Sequence, residues 1–200
     1  MIVNLRGPSG SGKSTAVRAI MARYSDNWTP HYLANLQEQL RQELVNVWGL
    51  DKRKQPLYYT ASNGGRKLAV VGHYESPCGG CDTIKEPDCL FHIIRTLADQ
   101  GYDVLWEGLL MSMDFKRTVP LSKIHPTIII GMDVPLDVCL DSINQRRWAR
   151  NPELPPVPVT NTTNKWKGTR QTIKRLADAG LETVWLDREQ TVERALEALT

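Results

Sequence analysis

Short apolar runs alternate with longer stretches of helical periodicity along most of the chain. Ile2–Leu5 reads as a buried strand running into a glycine-rich turn, and Lys13–Tyr24 follows as a helix free of proline. Leu33, Leu36, Leu40, Leu44 and Val47 recur at helical spacing, which predicts an amphipathic helix over Leu33–Trp48 with its apolar face in the core. Leu57–Thr60 and Lys67–Gly72 flank the turn signal Asn63-Gly64-Gly65 and predict a hairpin insertion near residues 56–73. A helix over Asp88–Gln100, strands at Val104–Glu107 and Thr127–Met132, and a helix from Leu136 to about Arg147 continue the series. Beyond the proline-rich break Asn151–Pro158 come a helix over Lys165–Ala179, a strand at Thr183–Leu186 and a helix over Glu189–Leu199. Strands alternating with helices imply an α/β three-layer sandwich, mostly parallel in its sheet, with ligands beyond the carboxyl ends of the strands.

At 200 residues the chain suits one domain over 1–200 with small insertions. A net charge of +3 and a pI near 8.7 suit polyphosphate ligands but fall short of a dedicated nucleic-acid module. Met1–Leu5 stops at Arg6, too early for a signal-peptide core, and no later run is long and apolar enough to span a bilayer. The expectation is a soluble, cytoplasmic protein without a membrane partner; the oligomeric state stays open. In that compartment Cys78, Cys81, Cys89 and Cys139 read as thiols or metal ligands. Cys78 and Cys81 have C-x₂-C spacing with Cys89, His73 and His92 near them, so a mixed zinc site is one reading. The second C-x₂-C is missing, which favours turn thiols lining an acceptor pocket.

Gly7-Pro8-Ser9-Gly10-Ser11-Gly12-Lys13-Ser14 fits G-x-x-x-x-G-K-[ST] between a strand and a helix, so Gly7–Thr15 is expected to hold ATP with Mg²⁺. The glycines let successive N–H groups turn towards phosphates, and the helix start adds its positive end. Lys13 is then aimed at the β- and γ-phosphates, the Ser14 hydroxyl at the metal and Thr15 at the α-phosphate. Glu107 ends a buried strand, where a carboxylate either orients Mg²⁺ or takes a proton from an incoming hydroxyl. Asp133, before Pro135, reads as a helix N-cap. Arg146, Arg147 and Arg150 lie at the base of the proline-rich break and predict a cationic lid near residues 146–165 that closes over ATP.

Other classes fit less well. Asn164-Lys165-Trp166-Lys167 lacks the final carboxylate of the guanine-reading N-K-x-D, and a motor would place an acidic pair where only Glu107 stands. Asn164–Arg170 interleaves cations with an aromatic ring, which suits either a nucleic-acid contact or a solvated helix start.

Tyr74-Glu75-Ser76-Pro77-Cys78-Gly79-Gly80-Cys81-Asp82-Thr83 resembles the acceptor segment R-E-P-G-G-T of thymidylate-kinase-like P-loop kinases, over nearly the whole chain. Tyr74 stands in place of Arg, two residues are added before the glycine pair, and Trp106-Glu107-Gly108 replaces D-R-Y. Gly72–Thr83 together with Trp106–Leu109 is more similar to the phage P-loop kinases that phosphorylate 5-hydroxymethyluracil in DNA. That resemblance implies a base hydroxymethyl group as acceptor, with Glu75, Asp82 and Glu107 gripping or deprotonating it, while Lys13 and Arg146 serve the phosphates as the loop and lid readings have it. A free nucleoside monophosphate is the rival acceptor, for which Arg95, Lys116 and Arg117 are candidate phosphate clamps.

Overall fold

Alternate residues of a strand point to opposite faces, and a strand buried on both sides is apolar on both except where a polar side chain finds buried partners. The computed structural model describes residues 1–76 and 79–200, and in it β1 (Ile2–Arg6) is buried throughout. Ile2 joins one hydrophobic cluster, Val3 and Leu5 the other. Two parallel neighbours hold β1 in the middle of the sheet, β5 (Asp103–Glu107) and β6 (Thr127–Met132), with Leu5 opposite Glu107 and Ile130. Adding β2 (Thr29–His31), β3 (Tyr58–Asn63), β4 (Arg66–Val71) and β7 (Glu182–Leu186) gives the order β2-β3-β4-β5-β1-β6-β7. β4, β5, β1, β6 and β7 are parallel, while β3 runs antiparallel to both β2 and β4.

Helices cover both faces and complete a three-layer α/β fold. On one side α1 (Lys13–Tyr24) and α7 (Arg188–Leu199) bury Val17, Ile20, Val192 and Leu199. On the other, α2 (Glu38–Asn46) and α3 (Pro87–Asp99) bury Leu44, Ile93, Ile94 and Leu97, each worth roughly 1.5–3 kcal/mol of burial. α4 (Thr118–Ser122) and α6 (Val159–Asp178) close the sheet towards β6, with Ile173 and Leu176 against Ile129. α5 (Leu136–Trp148) buries Cys139. No helix among the described residues is long and apolar enough to cross a membrane.

The structure departs from the periodicity at four places. The helix expected over Leu33–Trp48 is broken: Leu33–Asn35 is a 3-10 turn, Leu36 is extended, and α2 starts at Glu38. Asn35 causes the break by accepting the Tyr32 N–H at 2.8 Å, a local bond that competes with helix. β2 contains Pro30, tolerated because the strand lies at the sheet edge. α6 begins at Val159, ahead of the expected Lys165, with Pro158 as its N-cap. α5 takes Pro135 as N-cap, so Asp133 caps nothing; its N–H bonds Leu186 O at 2.8 Å and its carboxylate pairs with Arg170 at 2.6 Å.

Candidate active site

Between β1 and α1 the chain must reverse tightly, and left-handed glycines allow it: φ is 80° at Gly10 and 95° at Gly12. A Cβ on Gly10 would sit 2.2 Å from the Cys139 carbonyl oxygen. Lys13 folds back over the loop, donating to Gly7 O at 2.7 Å and Pro8 O at 3.0 Å. Burial lowers its pKa, against the pull of Glu107 and Asp82. Arg188, at the start of α7, donates to Ser11 O at 3.1 Å and Gly10 O at 3.2 Å, closing the loop from its other side. Ser11 is fully buried.

Glu107 ends β5 with 2% of its surface exposed and accepts the Ser14 hydroxyl at 2.7 Å. Burial raises its pKa, with Lys13 opposing. The acceptor segment presses on it so closely that a Cβ at Gly80 would lie 2.3 Å from Oε1. Asp82 sits on the 3-10 turn Cys81–Thr83, its carboxylate accepting the N–H groups of Leu109 at 2.8 Å and Leu110 at 3.1 Å. Both carboxylates line one cleft of about 710 Å³ together with Lys13 and Ser14. Ser9, Gly10, Gly12 and Thr15 form its loop side, and Arg146, Arg147 and Arg150 its α5 side. Glu75 is elsewhere: its half-exposed carboxylate accepts the hydroxyls of Tyr32 at 3.3 Å and Tyr59 at 3.4 Å, and it does not line the cleft.

Residues 149–158 fold back on α5. Arg147 donates to Pro155 O at 3.1 Å, Trp148 Nε1 to Leu154 O at 2.9 Å, and the Val157 N–H to Asn144 Oδ1 at 2.9 Å.

Four supporting residues escape the sequence reading. Arg18, one turn along α1 from Ser14, donates to the carbonyls of Tyr74 (3.2 Å) and Ser76, tying the acceptor segment to the phosphate-loop helix. Helical i, i+4 spacing from Ser14 was its signal. Arg188 is a cation in the first turn of a helix, where the dipole disfavours one, so its reason had to lie outside the helix. Arg6 is fully buried at the end of an apolar strand. Ser112 accepts the Gly7 N–H at 3.3 Å and donates to Gly108 O at 2.8 Å, joining the ends of β1 and β5; nothing local marks it.

Other expectations are corrected. Cys81 points inward, its thiol donating to Val71 O at 3.2 Å and its pKa pushed well up by burial, so it neither lines the cleft nor offers a zinc ligand. Cys78 lies outside the described residues, and Cys89 and Cys139 are buried. No group of three His, Cys, Asp or Glu is placed to hold a metal among the described residues. The ring of Trp166 is used in packing: its Nε1 bonds Val134 O at 3.0 Å, and Arg170 stacks on Trp166 and Trp185. Arg117 pairs with Asp88 and Asp114, Arg95 pairs with Asp99, and neither lines the cleft.

No protein-family model matches the chain. It is 38% identical over 202 residues to a protein of Pseudomonas phage PaMx11 named 5-hmdU DNA kinase, covering 98% of this chain and 97% of that one. Two further phage proteins of the same name are each 24% identical. That of Delftia phage PhiW-14 is matched over 94% of this chain and 68% of its own length, and that of Bacillus phage SP10 over 96% and 27%.

Proposed function

The chain belongs to the family of phage 5-hmdU DNA kinases, and we propose on that footing that it transfers the γ-phosphoryl group of ATP to the hydroxymethyl oxygen of 5-hydroxymethyluracil in DNA. The observation that carries this is one cleft in which the phosphate loop meets Asp82, a carboxylate of the altered acceptor segment. Two of the three candidate clamps for a free nucleotide's phosphate are engaged elsewhere, Arg117 with Asp88 and Asp114 and Arg95 with Asp99.

Phosphoryl transfer needs positioning and charge neutralisation more than covalent help from the protein. Loop N–H groups and the start of α1 cradle the phosphates, and Lys13 exchanges its carbonyl partners for the β- and γ-oxygens. Ser14 and Glu107 are hard oxygen donors 2.7 Å apart, and with phosphates completing the shell they fit Mg²⁺. When bound, that ion neutralises charge on the phosphate oxygens. Asp82, fixed by two N–H bonds, faces the acceptor hydroxyl. It takes the hydroxyl proton as the new O–P bond forms and the bond from the γ-phosphorus to the β–γ bridging oxygen breaks, releasing ADP. Arg146, Arg147 and Arg150 stabilise the charge spread over the transferring oxygens, and residues 149–158 act as a lid that excludes water. The product is a phosphate monoester on the base, primed for displacement in thymine hypermodification, in the cytoplasm of the phage's host.

The test is transfer of radiolabelled γ-phosphate from ATP to duplex DNA containing 5-hydroxymethyluracil, beside thymine-only DNA and free thymidine and deoxyuridine monophosphates. Label is expected in the modified DNA alone, and lost with Lys13→Ala; label in a monophosphate alone would return the enzyme to nucleotide metabolism.

A further inference from the structure

A second cavity, of about 540 Å³, adjoins the acceptor segment: Asp82 lines the catalytic cleft, and the next residue, Thr83, lines this one. Its other walls include Trp48, Lys52, Arg53, Lys54 and Lys85. Arg53 is the anchor. It donates to Thr83 O at 2.7 Å, Thr83 Oγ1 at 3.0 Å and Pro56 O at 2.9 Å, so the loop after α2 is clamped to the acceptor turn. Its neighbours are presented outward: Lys52, Lys54 and Lys85 are exposed and pair with no carboxylate among the described residues. Asp51 and Glu86 lie beside them in the chain, and Glu86 lines the cavity too, yet the group stays cationic. Trp48 is half-buried, its ring 4.8 Å from that of His92, which bonds Glu43 at 3.0 Å.

Free cations around a fixed aromatic ring are what a nucleic-acid strand uses, phosphates on the cations and an unstacked base on the ring. The composition expected at Asn164–Arg170 is thus assembled here from residues far apart in sequence. Asp82 and Thr83 are adjacent in one 3-10 turn and line the two cavities, so a strand whose target base lies beside Asp82 has this cationic wall next to it. We propose that this cavity holds the DNA strand next to the modified base, with Lys52, Lys54 and Lys85 on its phosphates and Trp48 against a flanking base. The proposal rests on DNA being the acceptor, since a free monophosphate has no flanking strand to place there.

The experiment compares the full-length wild type with the triple variant Lys52→Ala/Lys54→Ala/Lys85→Ala on 5-hydroxymethyluracil duplexes across a salt series. The variant is expected to raise KM for DNA by about tenfold or more. It also flattens the dependence of log kcat/KM on log salt by roughly two to three, at ~0.9 per lost phosphate contact. Its affinity for ATP, read by calorimetry, stays at the wild-type value. Trp48→Leu, checked for an intact melting transition, raises KM by about tenfold without changing the salt slope. Wild-type KM and slope in the triple variant, on DNA that the wild type phosphorylates, would overturn this surface and leave the acceptor assignment standing. A wild type that labels monophosphates and no DNA would overturn the acceptor assignment and the surface with it.

Discussion

Glu107 and Asp82 share a cleft, but one oxygen of Glu107 is committed to the Ser14 hydroxyl in a buried site, whereas Asp82 is less deeply buried and held by backbone N–H groups. Burial raises the Glu107 pKa above its ordinary 4.5. In the proposed mechanism the working form is the carboxylate, so activity is expected above that raised pKa and is lost as pH falls through it. The acid limb of kcat/KM for ATP, which reports the free enzyme, is therefore expected above pH 4.5. Glu107→Gln removes that limb and lowers kcat by roughly 10², while Asp82→Asn lowers kcat by a similar factor of about 10² or more and keeps the limb. pH–rate profiles of the two variants check both statements. A Glu107→Gln enzyme with the wild-type limb would move the titration to another group. The phosphate loop and Glu107 could be read from sequence because their signals are local. Asp82 was reached only through resemblance, and Arg188 not at all, because the carbonyl it serves lies 177 residues earlier.

At the scale of the element, β1 is held in place by its last side chain. Arg6 donates to Asn4 Oδ1, Ser112 O, Asp114 O and Thr118 Oγ1 at 2.6–3.3 Å, clamping the 3-10 turn Leu110–Met113 and α4 beneath the phosphate loop. Burial brings its pKa down to about 10, so it stays charged at neutral pH. Arg6→Met would strip Asn4 Oδ1 and Ser112 O of this buried donor. The expected loss is about 2–4 kcal/mol, a fall in Tm of roughly 5–15 °C, measured by thermal denaturation; a Tm within about 2 °C of wild type would contradict the clamp. Periodicity found most elements because both faces of the sheet are covered and helices such as α3 and α6 bury one apolar face. It failed over Leu33–Trp48 for a physical reason: Leu33 and Leu44 enter the same cluster from two separate segments, so the apolar rhythm runs on across a break made by Asn35. β2 was missed because an edge strand of three residues carries almost no pattern and its proline argues against one.

For the whole molecule, the parallel strands bring the phosphate loop and the acceptor turn to their carboxyl ends, where the segment after α5 joins them around one cleft. Residues 152–158 hold to α5 through the side chains of Arg147 and Trp148, which donate to them, and of Asn144, which accepts from them, so closure over bound nucleotide is expected to register as protection. Trypsin cleavage after Arg150 is expected to slow by about tenfold with a non-hydrolysable ATP analogue, in line with lid closure. Equal rates with and without the analogue would argue for a fixed segment.

The latch of Arg188 on the carbonyls of Gly10 and Ser11 also bears on how the protein is made. β1 precedes its sheet partners β5 and β6 in the chain, and the far side of its loop waits for α7. Such distant pairings form late. A chain still on the ribosome before Arg188 has emerged carries the whole phosphate-binding motif without the contact that closes it. Closure of the phosphate loop is therefore expected to wait on a contact 177 residues away in sequence.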